Sequence, residues 1–571
     1  MNLDTKTQLD AALGELKQGA AAWAATSVQE RMAVLNEIKD CLMPIAEAWA
    51  VTAARKKLIP AGSPLVGEEW LSGPYAILSY CNNLLQTLAD VAHKAHIHGL
   101  PVSELANGQI KVRVVPHTIW DRLLLSGVKA EVWMQPEVTR ANLAQHTASC
   151  YDTPAEQRRP GISLVLGAGN IAAIAPLDVF HKLLVEHQAA ILKLNPVNDY
   201  LHEYLQVALA PLIRRNALRV VRGGADVGQY LCTHPDIQDI HITGAGASHD
   251  AIVWGSGEQG RQNKATNTPI NTRHITSELG AVCPTIVVPG PWSEADLRFQ
   301  AENVSTQKLH NSGFNCIACQ VLIISRSWEK TPAFLQHLQQ TLANSPPRAP
   351  YYPGAENRMS EYAKHTSHAK QIGKGTAAVV LDQVAPGNDG YFKHNEVFSP
   401  AMSSVALEEQ DPEKFLRAAI TYANEQLYGT LGANILIHPK TLAKIGRKRF
   451  EQILAELHYG CIAINAWTGL GFLLSQTPWG AFPGHTLADV QSGIGFVHNS
   501  FLFDKPQRTV VEAPWRPFPR GVWHGQMSLL PRPPWFVSHK RADKVGRLLT
   551  RFQYRPGWLK LPGIFYHALL G

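Results

Sequence analysis

The sequence predicts an α/β protein built on doubly wound, mostly parallel sheets. From residue 160 onward, short apolar runs alternate with amphipathic stretches in the order strand, helix, strand. A second series of the same kind starts at PTIVVPG (284–290). The 571 residues, 45% hydrophobic and 17% charged, are numerous and apolar enough to bury two such cores.

Residues 5–95 read as helices: AAWAATSVQERMAVLNEIKDCLMPIAEAWAVTAARKK spaces its apolar positions three or four apart among strong helix formers. IKVRVV and KAEVWM, within 110–135, are strand-like. GISLVLG predicts a buried strand, PLDVFHKLLVEHQ a helix and AAILKL a strand. LRVVRGG, a helix around VGQYLCTH, and the strand IQDIHITG follow. VLIIS, AAVVLD and GANILIH are the strand candidates of the second series. The polar stretch WGSGEQGRQNKATNTPINTRH (254–274) predicts a surface loop.

There is no internal repeat or low-complexity segment. The first twenty residues lack the apolar core of a signal peptide, and no apolar run reaches the length that spans a bilayer. Eight cysteines are too sparse for a disulfide scaffold, and Cys316 and Cys319 form a CxxC with no second pair to complete a zinc site. A reducing, cytoplasmic compartment is expected, with no metal.

The net charge of +7 is concentrated at one end. Residues 501–571 hold 12 Lys and Arg against 3 Asp and Glu, whereas the other 500 hold 41 against 43. A near-neutral body argues against nucleic-acid binding.

LVLGAGNIA (164–172) looks like a dinucleotide fingerprint, GxGxxA, after a strand. The next strand ends in Lys193 and Asn195, however, without the acidic residue that would hold a ribose hydroxyl. Other segments fit better when taken together. Asn170 precedes Lys193 by 23 residues; HITGAG (241–246), ELGAVCP (278–284) and NSGFNC (311–316) follow. EVFSP (396–400), ANEQLYG (423–429), GCIAIN (460–465), PWGAFPG (478–484) and SGIG (492–495) complete the order. Each motif is weak alone. In this order they resemble the aldehyde dehydrogenase superfamily over roughly 160–500.

The resemblance implies a Rossmann-type cofactor domain (1–128 and 157–279) and an α/β catalytic domain (280–484). It also implies a small oligomerisation flap from 129–156 and 485–505, with 506–571 left as a basic extension. It implies oxidation of a small-molecule aldehyde with NAD or NADP, in a homodimer or homotetramer. Cys316 falls at the nucleophile, a role a thiolate suits because it adds to a carbonyl and later leaves. Cys319 is read as a small core residue. Asn170 and the Cys316 N–H would form the oxyanion hole, and Glu278 would activate water. Lys193 would reach the adenosine ribose, Thr243 and Gly244 would line the phosphate turn, and Glu396 would bind the nicotinamide ribose. Phe398 would pack near the ring or sit in the core.

Several positions depart from the family pattern. Phe314 stands where glutamine is usual, and His249 where a glycine is expected. The tetrapeptide Lys193-Leu194-Asn195-Pro196 lacks the glutamate that commonly holds the ribose 2′-hydroxyl, Ala281 replaces a glycine, and Glu278 lies 34 positions after Gly244. These changes surround the dinucleotide more than the nucleophile. An acyl-transferring, coenzyme A-type enzyme and a non-catalytic scaffold at a membrane are the alternative readings. Retention of Glu278 opposes the first, and retention of Asn170, Glu278 and Cys316 together opposes the second.

The extension carries Trp515, Trp523, Trp535 and Trp558. HKRADKVGRLLTRFQYR (539–555) places Val545, Leu548, Leu549 and Phe552 on one helical stripe, with Lys540, Lys544, Arg547 and Arg551 off it. Such a stripe packs on the body or a neighbouring subunit, or lies on an anionic membrane surface. The charge asymmetry motivates the latter, peripheral contact through 506–571.

Overall fold

The structure is a computed structural model that describes residues 1–365, 369–373, 379–384 and 390–571. Among these residues two large sheets dominate.

The smaller sheet runs Gly493–Ile494, His274–Leu279, Asp239–Gly244, Ile162–Leu166, Ala189–Lys193, Leu218–Val221. All neighbours are parallel except the first pair. Its central strand, ISLVL, is apolar but for Ser163, which is buried and bonded to Gln188, because helices cover both faces. The chain winds outward from this strand in both directions, so a crevice opens beyond its carboxyl end, at residues 167–170.

The larger sheet has eleven strands. Seven are parallel: Pro506–Glu512, Cys461–Ile464, Gly432–Leu436, Cys283–Val287, Cys319–Ser325, Ala401–Leu407 and Val379–Val384. Positions 377 and 378 of the AAVVLD strand lie outside the described residues. Antiparallel strands Lys129–Met134, Ile110–Val115 and Val102–Glu104 extend the sheet from Pro506–Glu512. The expected boundaries at 128/129 and 505/506 therefore fall within this sheet or at its strand ends.

The helices of residues 3–89 pack around the smaller sheet. Trp23, Leu35, Trp49 and Tyr80 share one core with Phe180 and Leu192. Helix Val28–Leu42 starts at a capping box, in which Ser27 and Glu30 satisfy each other's backbone N–H groups.

The extension is seated on the body. Trp515 is fully buried and meets the Trp292 ring edge-on at 4.8 Å. Arg516 pairs with Asp296 at 2.9 Å, both buried. Helix Ala542–Tyr554 approaches helix Val66–Trp70 so closely that a Cβ on Gly67 would lie 2.3 Å from the Ala542 carbonyl carbon. The predicted stripe is spent on this packing: Val545 and Phe552 are buried, and Leu548 and Leu549 are partly covered. The Trp523 side chain lies outside the described residues.

Candidate active site

Helix Glu294–Leu309, capped by Ser293 and Asp296, runs through the centre of the molecule. After it, Asn311, Ser312 and Gly313 adopt left-handed φ values of 52°, 56° and 82°. At Gly313 no side chain fits, since a Cβ would meet the Pro400 nitrogen at 2.8 Å. This reversal is clamped. The Asn311 N–H donates to Glu68 Oε2 at 2.9 Å, and its side-chain amide donates to the carbonyls of Asn170 (3.2 Å) and Phe314 (2.9 Å). Glu68 is itself forked onto Arg348 at 2.6 and 3.0 Å. Burial would raise the Glu68 pKa, but Arg348 and then His310 more than reverse this and hold it at about 2.

The turn delivers Cys316. Its thiol donates to Glu278 Oε1 at 3.2 Å. Glu278 sits at the carboxyl end of strand His274–Leu279 and is 3% exposed. Burial first, then the neighbouring Asp178, raises its pKa to about 7. Burial, then the negative charge of Glu278 and Glu396, raises the Cys316 thiol well above its usual value. Asn170 leaves the central strand of the smaller sheet and donates from Nδ2 to the Phe314 carbonyl at 3.0 Å, beside the thiol. The Cys316 N–H donates to no backbone or side-chain acceptor among the described residues. Cys319 is the first residue of its strand and fully buried, as expected of a core cysteine.

Asn170, Glu278 and Cys316 line two cavities at once. One is an apolar chamber of about 50 Å³ walled by Ile171, Ile317, Trp467 and Phe472. The other is a cleft of about 1110 Å³ along the carboxyl ends of the smaller sheet. All five predicted cofactor residues line this cleft. Lys193 is 8% exposed, and its ammonium has no partner among the described residues. Thr243 donates to Asp178 Oδ2 at 2.8 Å, while Gly244 stands exposed ahead of helix Gly246–Val253. The Glu396 carboxyl is pushed up to about 8, chiefly by burial, and its Oε1 has no partner. It lies over Gly280, where a Cβ would come 1.8 Å from Oε2. Phe398 is half-buried, lines the cleft and packs against Tyr352 at 5.1 Å. An unpartnered buried cation at one end and an unpartnered acceptor at the other suit a long polar ligand such as a dinucleotide.

The departures also have places. Phe314 is fully buried between Tyr351 and Tyr352, with ring centroids at 5.0 and 5.5 Å, so an aromatic cluster replaces a polar side chain behind the loop. His249 is fully buried, whereas Ser248 and Ala251 on the same helix face the cleft. The polar stretch 254–274 corrects the loop expectation: it contains helix Gly257–Ala265. Glu258–Arg261 and Lys264–Asp250 ion pairs stabilise that turn of chain where glycines hide the periodicity. Ile270, Asn271 and Arg273 then return to line the cleft.

Asn311 opens the NSGFNC motif, but nothing in the sequence singles out Glu68 and Arg348, which brace the turn that carries Cys316. Glu68 and Arg348 lie 280 positions apart, and only the fold brings them together.

A doubly wound sheet whose switch-point cleft abuts a cysteine presented by a second parallel sheet is the aldehyde dehydrogenase architecture. Residues 201–480, just under half of the chain, match the aldehyde dehydrogenase family, in agreement with the fold. The chain is 24% identical over 303 residues to a 1-pyrroline-5-carboxylate dehydrogenase of Oceanobacillus iheyensis, covering 50% of this chain and 54% of that one. It is 24% identical over 296 residues to an aldehyde dehydrogenase of Enchytraeus buchholzi, covering 48% and 53%. The matches thus span about half the length of these relatives. Among solved structures, the γ-glutamyl-γ-aminobutyraldehyde dehydrogenase of Burkholderia cenocepacia superposes with a TM-score of 0.58 at 16% identity, over 88% of this chain and 87% of that one. An indole-3-acetaldehyde dehydrogenase in complex with NAD+ gives 0.57 at 18%, over 89% and 88%.

Proposed function

We propose that this chain oxidises an aldehyde to the carboxylic acid with NAD or NADP, through a thiohemiacetal and then a thioester on Cys316. The observation that carries this reading is the position of the Cys316–Glu278 pair, in contact at 3.2 Å and facing both an apolar chamber and a dinucleotide-sized cleft. The thiol gives up its proton to solvent as the sulfur adds to the aldehyde carbon, which leaves the Glu278 carboxylate free for the later step. The oxyanion is received by the Asn170 side-chain amide and the Cys316 N–H. A nicotinamide dinucleotide in the cleft would accept the hydride, with Lys193 and Glu396 available to its ribose hydroxyls. Glu278 then removes a proton from water, which attacks the thioester and releases acid and thiol. A general base near pH 7 suits the hydrolytic ending rather than transfer to another thiol.

The test is the mass of the protein after incubation with aldehydes and either cofactor, in wild type, Cys316→Ala and Glu278→Gln. An acyl adduct on Cys316 that accumulates in Glu278→Gln supports both roles. No adduct and no reduced cofactor under any condition would sink the reading in favour of a non-catalytic scaffold.

The finer expectations belong to the same reading. Eight unpaired cysteines support a reducing, cytoplasmic setting. Homodimer or homotetramer assembly rests on the family resemblance, and sedimentation equilibrium tests it. Peripheral membrane contact now rests on the end of the extension, where Trp558 and Leu559 are 62% and 97% exposed beside Arg555 and Lys560. Co-sedimentation with anionic liposomes should weaken in Leu559→Glu; equal binding would end that part of the proposal.

A further inference from the structure

The chamber around the thiol is small. At about 10–15 Å³ per water-sized group, its volume of about 50 Å³ seats only a few heavy atoms. It is not closed, because a second cavity of about 370 Å³ adjoins it. The two share Leu71, Leu473 and Trp535 as lining, so these side chains form the neck between them. Nearly half of the outer cavity's lining comes from the extension, including Leu530, Trp535, Leu549, Phe552 and Ile564. Helix Ala76–Ala89 and helix Ile119–Leu124 supply the facing wall.

That wall is fixed in place. Besides the Gly67 contact, a Cβ on Gly546 would come 2.9 Å from the Trp70 Cβ. Asn82 Nδ2 donates to the Gln553 carbonyl at 2.6 Å, and Arg547 pairs with Glu47 at 2.7 Å. A mostly apolar cavity with a rigid wall, continuous with a reactive thiol, has the character of a ligand site.

From this continuity we infer that the C-terminal extension builds one side of an acyl channel, and that the substrate is a long-chain aliphatic aldehyde. Its carbonyl carbon lies at Cys316 and its chain passes Trp535 into the space between helices Ala76–Ala89 and Ala542–Tyr554. The inference rests on the oxidation proposed above and names the substrate class of that same site. The bonds made and broken are those already given; the channel contributes binding of the hydrocarbon. Each methylene buried there contributes a transfer free energy that raises kcat/KM by roughly three- to fourfold.

The test has two arms. In the first, kcat/KM is measured on full-length protein for straight-chain aldehydes from propanal to hexadecanal, with Leu549→Trp and Leu85→Trp as plugs from opposite walls. Both positions are partly exposed, so the larger ring can be accommodated. Wild type is expected to favour dodecanal over propanal by at least about a hundredfold, which burial of about four of its nine additional methylenes supplies on the same scaling, and each plug should cut that ratio at least tenfold. In the second arm, binding of the fluorescent fatty acid cis-parinaric acid to Cys316→Ala is titrated with and without Leu549→Trp. Tight binding that the plug weakens supports the channel. If aldehydes of all lengths are oxidised alike and the plugs change neither arm, the channel is overturned while oxidation stands. If no aldehyde is oxidised but the probe binds and the plug weakens it, the oxidation reading fails and the channel survives as an acyl-binding cavity. If there is neither turnover nor probe binding, both are overturned.

Discussion

The thiol of Cys316 rests 3.2 Å from Oε1 of Glu278, across a sequence separation of 38 residues and between two different sheets. The contact acts on its two partners in opposite senses. Burial raises both groups, but the thiol's hydrogen bond lowers Glu278 whereas the Glu278 charge raises Cys316, so in the resting site the sulfur keeps its proton at pH 7.

Removing the Glu278 charge should therefore make the sulfur easier to ionise even as it stops turnover. Glu278→Gln is expected to speed alkylation of Cys316 by iodoacetamide at pH 8 by several-fold, consistent with loss of a buried like charge, while aldehyde oxidation falls to background. The modified peptide is read by mass spectrometry. Slower alkylation in the variant would mean that the carboxylate activates the thiol as a base in the resting state.

The pH dependence of thioester hydrolysis follows from the same carboxyl. Glu278 is a base only when deprotonated, and its pKa is raised to about 7. Single-turnover deacylation should rise tenfold per pH unit below 7 and level off above it. A rate that is flat between pH 5 and 7 would exclude Glu278 as the base.

Asn170 is expected to act on the transition state more than on binding. Asn170→Ala should lower kcat by about 10²- to 10³-fold with little change in KM. Its Nδ2 also holds the Phe314 carbonyl at 3.0 Å, so the melting temperature must be measured alongside. A loss of stability that accounts for the whole activity loss would reduce Asn170 to a support of the turn.

The Glu68–Arg348 pair supports the nucleophile turn from below. The Glu68 pKa is depressed to about 2, so its contribution to stability is complete above the ordinary carboxylate pKa of 4.5 and is lost as pH falls toward 2. Arg348→Met strands a buried carboxylate and should cost about 3–5 kcal/mol at pH 7. Glu68→Met combined with Arg348→Met should recover part of that loss. Denaturant unfolding measures both, and a single-variant cost below about 1 kcal/mol would show the pair to be dispensable.

In the cleft, the segment Lys193–Pro196 carries no carboxylate that could hold a ribose 2′-hydroxyl, and Asn195 lines the cleft. Asn195→Glu should shift the preference toward NAD by repelling a 2′-phosphate, and Lys193→Ala should weaken both cofactors. Fluorescence titration of the reduced cofactors decides; an unchanged NADP affinity in Asn195→Glu would place the 2′-position elsewhere.

Most strands and the two parallel sheets were legible in the sequence, and the eight candidate residues come together around two adjoining cavities. The reason is physical. Buried parallel strands need mostly apolar runs such as ISLVL and CQVLIIS, and the turns that follow them need particular small or polar residues. What periodicity cannot carry is a partnership between distant positions. The helix at Gly257–Ala265 was hidden because it carries no apolar stripe: its one buried residue is Gly260. The clamp of Glu68, Arg348 and Asn311 is set by packing across the chain. The stripe of Val545 and Phe552 marked a helix that must cover something. Only the tertiary structure decided that it lies against Val66–Trp70 and helps wall the cavity next to Cys316, since an apolar face specifies burial but not the surface that buries it.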